Sequence, residues 1–305
     1  ITPEVVSAER WLFTPGAAVR GPGGGGFGLP RGAAVGRNPA AGARIDFYFR
    51  QAPDSASPVT LELRDARDSL VRRFSTKPPP EGDTLRVTAG LNRFVWDLRY
   101  PGAHRFRGMV LWAGDTRGPV AVPGTYTVRL AAGTWNASRT FQVREDPRVT
   151  VPLADLQRQF DFLLRIRDRV SAANDAVKQI RDLVQQVEGV TTRVKGQAGA
   201  APIRTQADSL KAHLQAVERE IYQVQNRSGE DPLNFPIRIN NKLAALTGVV
   251  GSADAPPTDV SQAVFDALDA QLKTQLDRLN AIVTGEVPAL NRLVAEQNVP
   301  AVIVQ

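Results

Sequence analysis

The chain holds two histidines, His104 and His213, and no cysteine. A Ser-His-Asp triad would have to use one of those two imidazoles. Zinc draws on clustered His, Cys and carboxylate ligands, which this composition barely supplies. His104 stands in YPGAHRFRG, where Arg105 and Arg107 make a basic tip, and His213 stands in LKAHLQAVE, within a helical pattern. No G-x-S-x-G accompanies either. Both read as surface or interface histidines.

Other chemistry-bearing patterns fare no better. Gly23, Gly25 and Gly28 spell G-x-G-x-x-G, but a dinucleotide loop needs a strand before it and a helix opening directly after it. Pro22 and Pro30 flank the stretch and no G-K-[ST] follows, so it reads as an extended arm. Asp65 with Asp68, or Glu145 with Asp146, are the candidate acid–base or calcium pairs. The stretch DARDSL lacks the glycine and ligand spacing of an EF-hand loop. EDPR, from Glu145, reads as a turn in which Pro147 keeps Asp146 out of the helical region. Two sequons, Asn136 to Ser138 and Asn226 to Ser228, matter only in a glycosylating secretory pathway. The Ala- and Arg-rich composition suggests a high-GC bacterium, so no modification is expected. On these grounds no catalytic, cofactor-binding or metal residue is assigned, and the chain is read as no enzyme and as needing no cofactor.

The aromatic residues pose a sharper choice. Trp96, Trp112, Trp135 and Tyr100 fall near strand ends and loops, where exposed rings could stack on a sugar. In LNRFVWDLRYPG, Trp96 shares the parity of Phe94 and Leu98, which places it in a core, with Asp97 and Arg99 on the opposite face.

Bulk numbers fit a soluble globular chain of two domains: 305 residues, 42% hydrophobic and 23% charged. No apolar run is long enough to span a bilayer. The start, ITPEVVSAERW, has neither an initiator Met nor a basic segment leading into an apolar one, and it reads as a mature or trimmed product. The net charge of +7 is uneven: residues 1–150 carry 21 Lys and Arg against 13 Asp and Glu, and residues 151–305 carry 17 against 18. An Arg-rich β half is able to meet an anionic membrane surface. Nucleic acid is not expected, because no basic helix, RNP-type motif or zinc finger is present.

Three textures follow one another. Residues 1–41 form a Gly/Pro-rich extended arm. Residues 42–147 alternate with period two through RIDFYFR, VTLELRD, SLVRRFS, RFVWDLR, GTYTVRLAA and RTFQVRE, with turn signals between. That pattern predicts an antiparallel β-sandwich of the immunoglobulin or fibronectin-III kind. Residues 148–305 switch to spacings of three and four and predict an antiparallel helical bundle with an apolar tail, VPAVIVQ. The predicted helices run from about Pro152 to Gly189, Ile203 to Asn226, Ile237 to Leu246, and Thr258 to a break at Gly285–Pro288. A last segment covers Ala289 to Glu296.

Taken in order, LNRFVWDLRYPG, VPGTYTVRL, FQVREDPRV, LADLQRQFDFLLRIRDRVSAANDAVKQIR and LNFPIRINNKLAALTGVVGSADAPPT resemble the C-terminal region of bacterial sortilin-like, BNR-repeat proteins, exported chains often labelled sialidase-like glycosyl hydrolases. The resemblance covers roughly residues 42–300. It implies an Ig-like sandwich and a helical tail behind a β-propeller. The propeller and its Asp-box motifs are missing from these residues, so no catalytic residue is carried over and the hydrolase label is not inherited.

The resemblance implies an exported protein, periplasmic or at the cell surface, peripheral rather than membrane-spanning. The reading favoured is a non-catalytic accessory or scaffold subunit with protein partners in a larger assembly, whether or not that assembly is membrane-bound. The periplasmic face of a photosynthetic reaction-centre complex is one such assembly. The alternative is a carbohydrate-binding or glycosidase-associated module.

Overall fold

A computed structural model describes residues 2–21, 41–54, 56–80, 82–197 and 199–296. The chain divides into two units, Ile1–Pro101 with Gly118–Phe160, and Gly102–Arg117 with Asp161–Gln305. The first holds the strands and the second the long helices, so both classes of element are present.

In the first unit the period-two segments form the expected strands. After the short helix α1 (Pro3–Ser7) come β1 (Arg10–Leu12), β2 (Ala18–Val19), β3 (Ala43–Phe49), β4 (Val59–Arg64), β5 (Leu70–Ser75), β6 (Asp83–Thr84), β7 (Gly90–Trp96), β8 (Gly124–Ala132) and β9 (Trp135–Arg144). A three-stranded sheet has the order β1-β3-β7, and a six-stranded sheet the order β2-β9-β8-β4-β5-β6. Alternation sets which side chains enter the core. Ile45, Phe47 and Phe49 of β3, Leu61 and Leu63 of β4, and Val128 and Leu130 of β8 are all buried. Side chains of both sheets share one hydrophobic core, with Trp96 in it. Each large apolar side chain so buried contributes about 1.5–3 kcal/mol.

Two findings depart from the sequence reading. Residues 2–21, expected to belong to an arm, supply a helix and two strands: β1 pairs antiparallel with β3, and β2 lies parallel to β9. The β5–β6 pair is parallel as well, so the pairing is not antiparallel throughout. These strands have two or three residues, too few to show alternation. The remainder of the arm, including Gly23, Gly25 and Gly28, lies outside the described residues, as does the tail from residue 297.

Helix α2 (Leu153–Arg193) runs 41 residues. It is followed by α3 (Ala200–Ile221), a short 3₁₀ turn (Asp231–Leu233), α4 (Ile239–Val250), α5 (Asp259–Ala281), a π-helical turn (Ile282–Glu286) and α6 (Val287–Glu296). Val177, Ile180, Val187, Val190 and Val194 of the second unit are buried at spacings of three, four and seven. That stripe continues past Gly189, so the helix does not stop there: the burial of Val190 and Val194 outweighs the roughly 1 kcal/mol a mid-helix glycine costs. Thr258 caps α5, its hydroxyl accepting from the Ser261 N–H. The expected break at Gly285–Pro288 is a π turn instead. The Val287 N–H reaches Ile282 O, and the chain re-enters α6 with Pro288 in its first turn, where a missing N–H is tolerated. Helix α3 ends before Asn226, with Tyr222 already extended at φ −131°.

Candidate functional site

The residues nominated by sequence lie scattered, and each has a local task. Trp96 is 0% exposed. Its indole N–H donates to Arg99 O at 3.0 Å, and its ring packs 5.4 Å from Tyr126 and 6.3 Å from Phe141. Beyond Trp96 the strand stops. Leu98 takes φ +61°, the Arg99 N–H donates to Asp97 Oδ1, and the Arg99 guanidinium donates to Gly118 O. Asp97 and Arg99 therefore shape a turn rather than pair across a sheet face. Gly42 lies against the same corner, where a Cβ would fall 2.0 Å from Trp96 O.

Tyr126 donates its hydroxyl to Val122 O at 2.9 Å, and burial pushes its phenol well above the ordinary range. Tyr100 is packed edge-on against Phe160 at 4.7 Å, and Trp135 against Phe49 at 6.2 Å. Of the sugar-stacking candidates, Trp112 is the one with a substantially exposed ring, at 40%.

The acidic pairs are turn-formers. Asp65 accepts from the Arg67 and Ser69 N–H groups, and Asp68 pairs with Arg129. Asp146 is buried, while Arg148, its partner at 2.6 Å, is exposed. The Arg148 side chain and N–H together hold the Asp146 carboxyl at a pKa of about 2. Glu145 is exposed at the end of the last strand. Of the sequons, Asn136 is exposed on β9 and Asn226 is buried.

Both histidines face carboxylates. His104 Nδ1 lies 2.9 Å from Asp175, and His213 Nδ1 lies 2.9 Å from Glu286, the last residue of the π turn. Among the described residues no group of three or more His, Asp or Glu side chains is gathered as a metal site would require.

The loop Gly102–Arg117 is the feature sequence reasoning passed over. It belongs to the helical unit, whose side chains and one backbone carbonyl bond its backbone. Ser171 Oγ accepts from the His104 N–H, and Asn174 donates to His104 O. The Val110 N–H donates to the Tyr222 hydroxyl, and the Asp115 N–H to Ala244 O. Asn241 brackets Trp112, accepting from its N–H and donating to its carbonyl, each at 2.7 Å. Phe106 stacks edge-on against Tyr222 at 5.0 Å, with Arg181 over both rings.

In the first unit one surface gathers exposed apolar side chains. On the outer face of the three-stranded sheet Trp11, Tyr48 and Leu91 are direct cross-strand neighbours. Beside them a groove of about 410 Å³ is lined by Val5, Val6, Phe13, Asp46, Tyr48 and Leu91. Leu91 is 64% exposed and Val6 66%. Arg93 grips Asp46 with two bonds, at 2.7 and 2.9 Å, and those bonds hold the carboxyl below its usual range. Much of the Arg excess of this unit is likewise paired: Arg50 with Glu9, Arg64 with Glu62, and Arg72 with Asp83.

No protein-family model and no curated protein matches the chain. Among solved structures, one named pT26-6p aligns over 83% of this chain at 12% identity and a TM-score of 0.18. The chain spans 46% of that structure's length. A likeness so slight carries no argument about fold or function. No helix among the described residues is long and apolar enough to cross a membrane.

Proposed function

We propose that this chain is a non-catalytic, exported accessory subunit that docks on a larger, membrane-associated assembly, built as an Ig-like sandwich followed by an antiparallel helical bundle. The carrying observation is that the side chains best suited to chemistry are engaged in holding the structure: Trp96 bonds its own turn, Asp146 is clamped by Arg148, and both histidines face carboxylates distant in sequence. The Tyr126 bond to the carbonyl four residues upstream supports the Ig-like reading, because that domain type carries such a tyrosine corner. Short connections between α2 and α3 and between α4 and α5 support the bundle. The resemblance to the region behind the propeller of sortilin-like exported proteins supports the periplasmic or cell-surface location. Affinity isolation under native conditions, read by mass spectrometry, tests the proposal. A defined set of co-purifying subunits is expected, and recovery of the chain alone contradicts it.

A carbohydrate-binding role is the second reading, and Trp112 favours it: its ring is exposed while its backbone is fixed by Asn241. Glycan-array binding that vanishes in Trp112→Ala would establish it. Silence of the wild-type chain on the array removes it.

A further inference from the structure

We infer that the edge of β7, which no described strand covers, binds an extended segment of a partner protein by strand addition, with an apolar side chain of that segment packed against Leu91 and a carboxylate near Arg93 and Arg44. This names the partner chemistry for the docking role proposed above and rests on it.

The hydrogen-bond directions on the three-stranded sheet fix which groups are available. The Phe13 N–H donates to Asp46 O, and the Arg50 N–H donates to Glu9 O. Even-numbered residues of β3 therefore bond toward β1. By the alternation of an antiparallel ladder, Ile45, Phe47 and Phe49 bond toward β7, where their register partners are Phe94, Asn92 and Gly90. Leu91, Arg93 and Val95 are left directing their N–H and C=O groups away from the sheet. In the order β1-β3-β7 no described strand lies beyond them. A row of alternating donors and acceptors matches one kind of occupant well, another extended peptide backbone.

The side chains specify more. Residues of an added strand opposite Leu91, Arg93 and Val95 would share the outer face, because alternate residues point the same way. The one opposite Leu91 would cover that exposed side chain, whose other flank walls the apolar groove over β3. The one opposite Arg93 lies near two cations and one carboxylate, because Arg93 is bonded to Asp46 and Arg44 stands at the register position of Val95. A carboxylate there is complementary; a second arginine, as in a copy of β7 added about Arg93, is not. Exposed edges usually carry a free charge that discourages pairing. Here the guanidinium of Arg93 is engaged by Asp46, and Leu91 stands open.

The test is selection of nine-residue peptides from a random displayed library on the full chain, with counter-screening on Val95→Pro. That substitution removes an outward N–H from an edge strand, a position where proline is tolerated. Enriched peptides are expected to alternate an apolar residue with Asp or Glu, to bind Val95→Pro and Leu91→Asp at least tenfold more weakly, and to slow hydrogen exchange at Leu91, Arg93 and Val95. Leu91→Asp leaves every ladder bond in place and keeps the test decisive if Val95→Pro misfolds. No enrichment, or peptides that bind the variants equally, overturns the inference. So does a concentration-dependent dimer abolished by Val95→Pro, which would make a second copy the occupant. Native isolation separates the two levels. If wild type and Val95→Pro both co-purify with an assembly, strand addition fails and the docking role stands. If wild type is recovered alone, the docking role itself fails.

Discussion

Asp146 shows how a residue that looks catalytic in sequence is explained by its place in the chain. It ends the last strand and turns the backbone toward α2, its carboxyl held by Arg148 at a pKa of about 2 against an ordinary 3.8. A carboxyl lowered by folding contributes stability that is full above its ordinary pKa and is lost as pH falls through the folded value. Asp146→Asn is therefore expected to melt below wild type at pH 7, with the gap closing between about pH 4 and pH 2. A gap that persists unchanged at pH 2 would refute the clamp. Tyr126→Phe tests the neighbouring corner, where β8 begins beside the end of β9. It removes the bond to Val122 O and leaves a buried carbonyl unpaired, so urea unfolding should show a loss of about 1–3 kcal/mol. The core role of Trp96 was legible because parity along a strand is enough to place a side chain. The bond from its indole to Arg99 O was not, because it depends on Leu98 turning the chain into a conformation that no local pattern announces.

At the scale of elements, long period-two and period-three-four runs were readable, and punctuation misled. Gly189 looks like a stop and is the middle of a turn of α2. Gly189→Ala should raise stability by about 0.5–1 kcal/mol in thermal or urea unfolding, since a Cβ there meets the movable Arg193 guanidinium at 3.3 Å. A loss would mean that the glycine is needed for close approach. Pro288 looks like a break, and the π turn before it lets the helical path continue through. The loop Gly102–Arg117 has no period at all. Its order comes from single side chains of α2 and α4, and of Tyr222 just past α3, bonding its backbone, and such contacts leave no mark on the loop's own sequence. Asn241→Ala removes both bonds to Trp112 and should cost about 2 kcal/mol, with hydrogen exchange accelerated at Trp112 before the helices open. Exchange unchanged at that amide would show that the bracket is dispensable.

At the scale of the molecule, composition and period sufficed for strands first and helices after. The tally of arginines overstated the free positive charge, because several are matched by a carboxylate one strand away. The outer face of the three-stranded sheet was illegible for a related reason. Trp11 and Val5 precede any recognisable strand in sequence, and they reach Tyr48 and Leu91 only once β1 has paired with β3. An exposed apolar groove and a sheet edge that no described strand covers are costly for an isolated monomer to display. That cost is what a docking subunit recovers on assembly.

The most direct measurement is the size of the native particle that holds this chain, read from sedimentation of gently solubilised membranes with an antibody to the chain. The account predicts that the chain travels with a particle several times its own mass and is released to the monomer position by Val95→Pro or Leu91→Asp. Wild-type chain sedimenting as a free monomer, from membranes and soluble fraction alike, would contradict it.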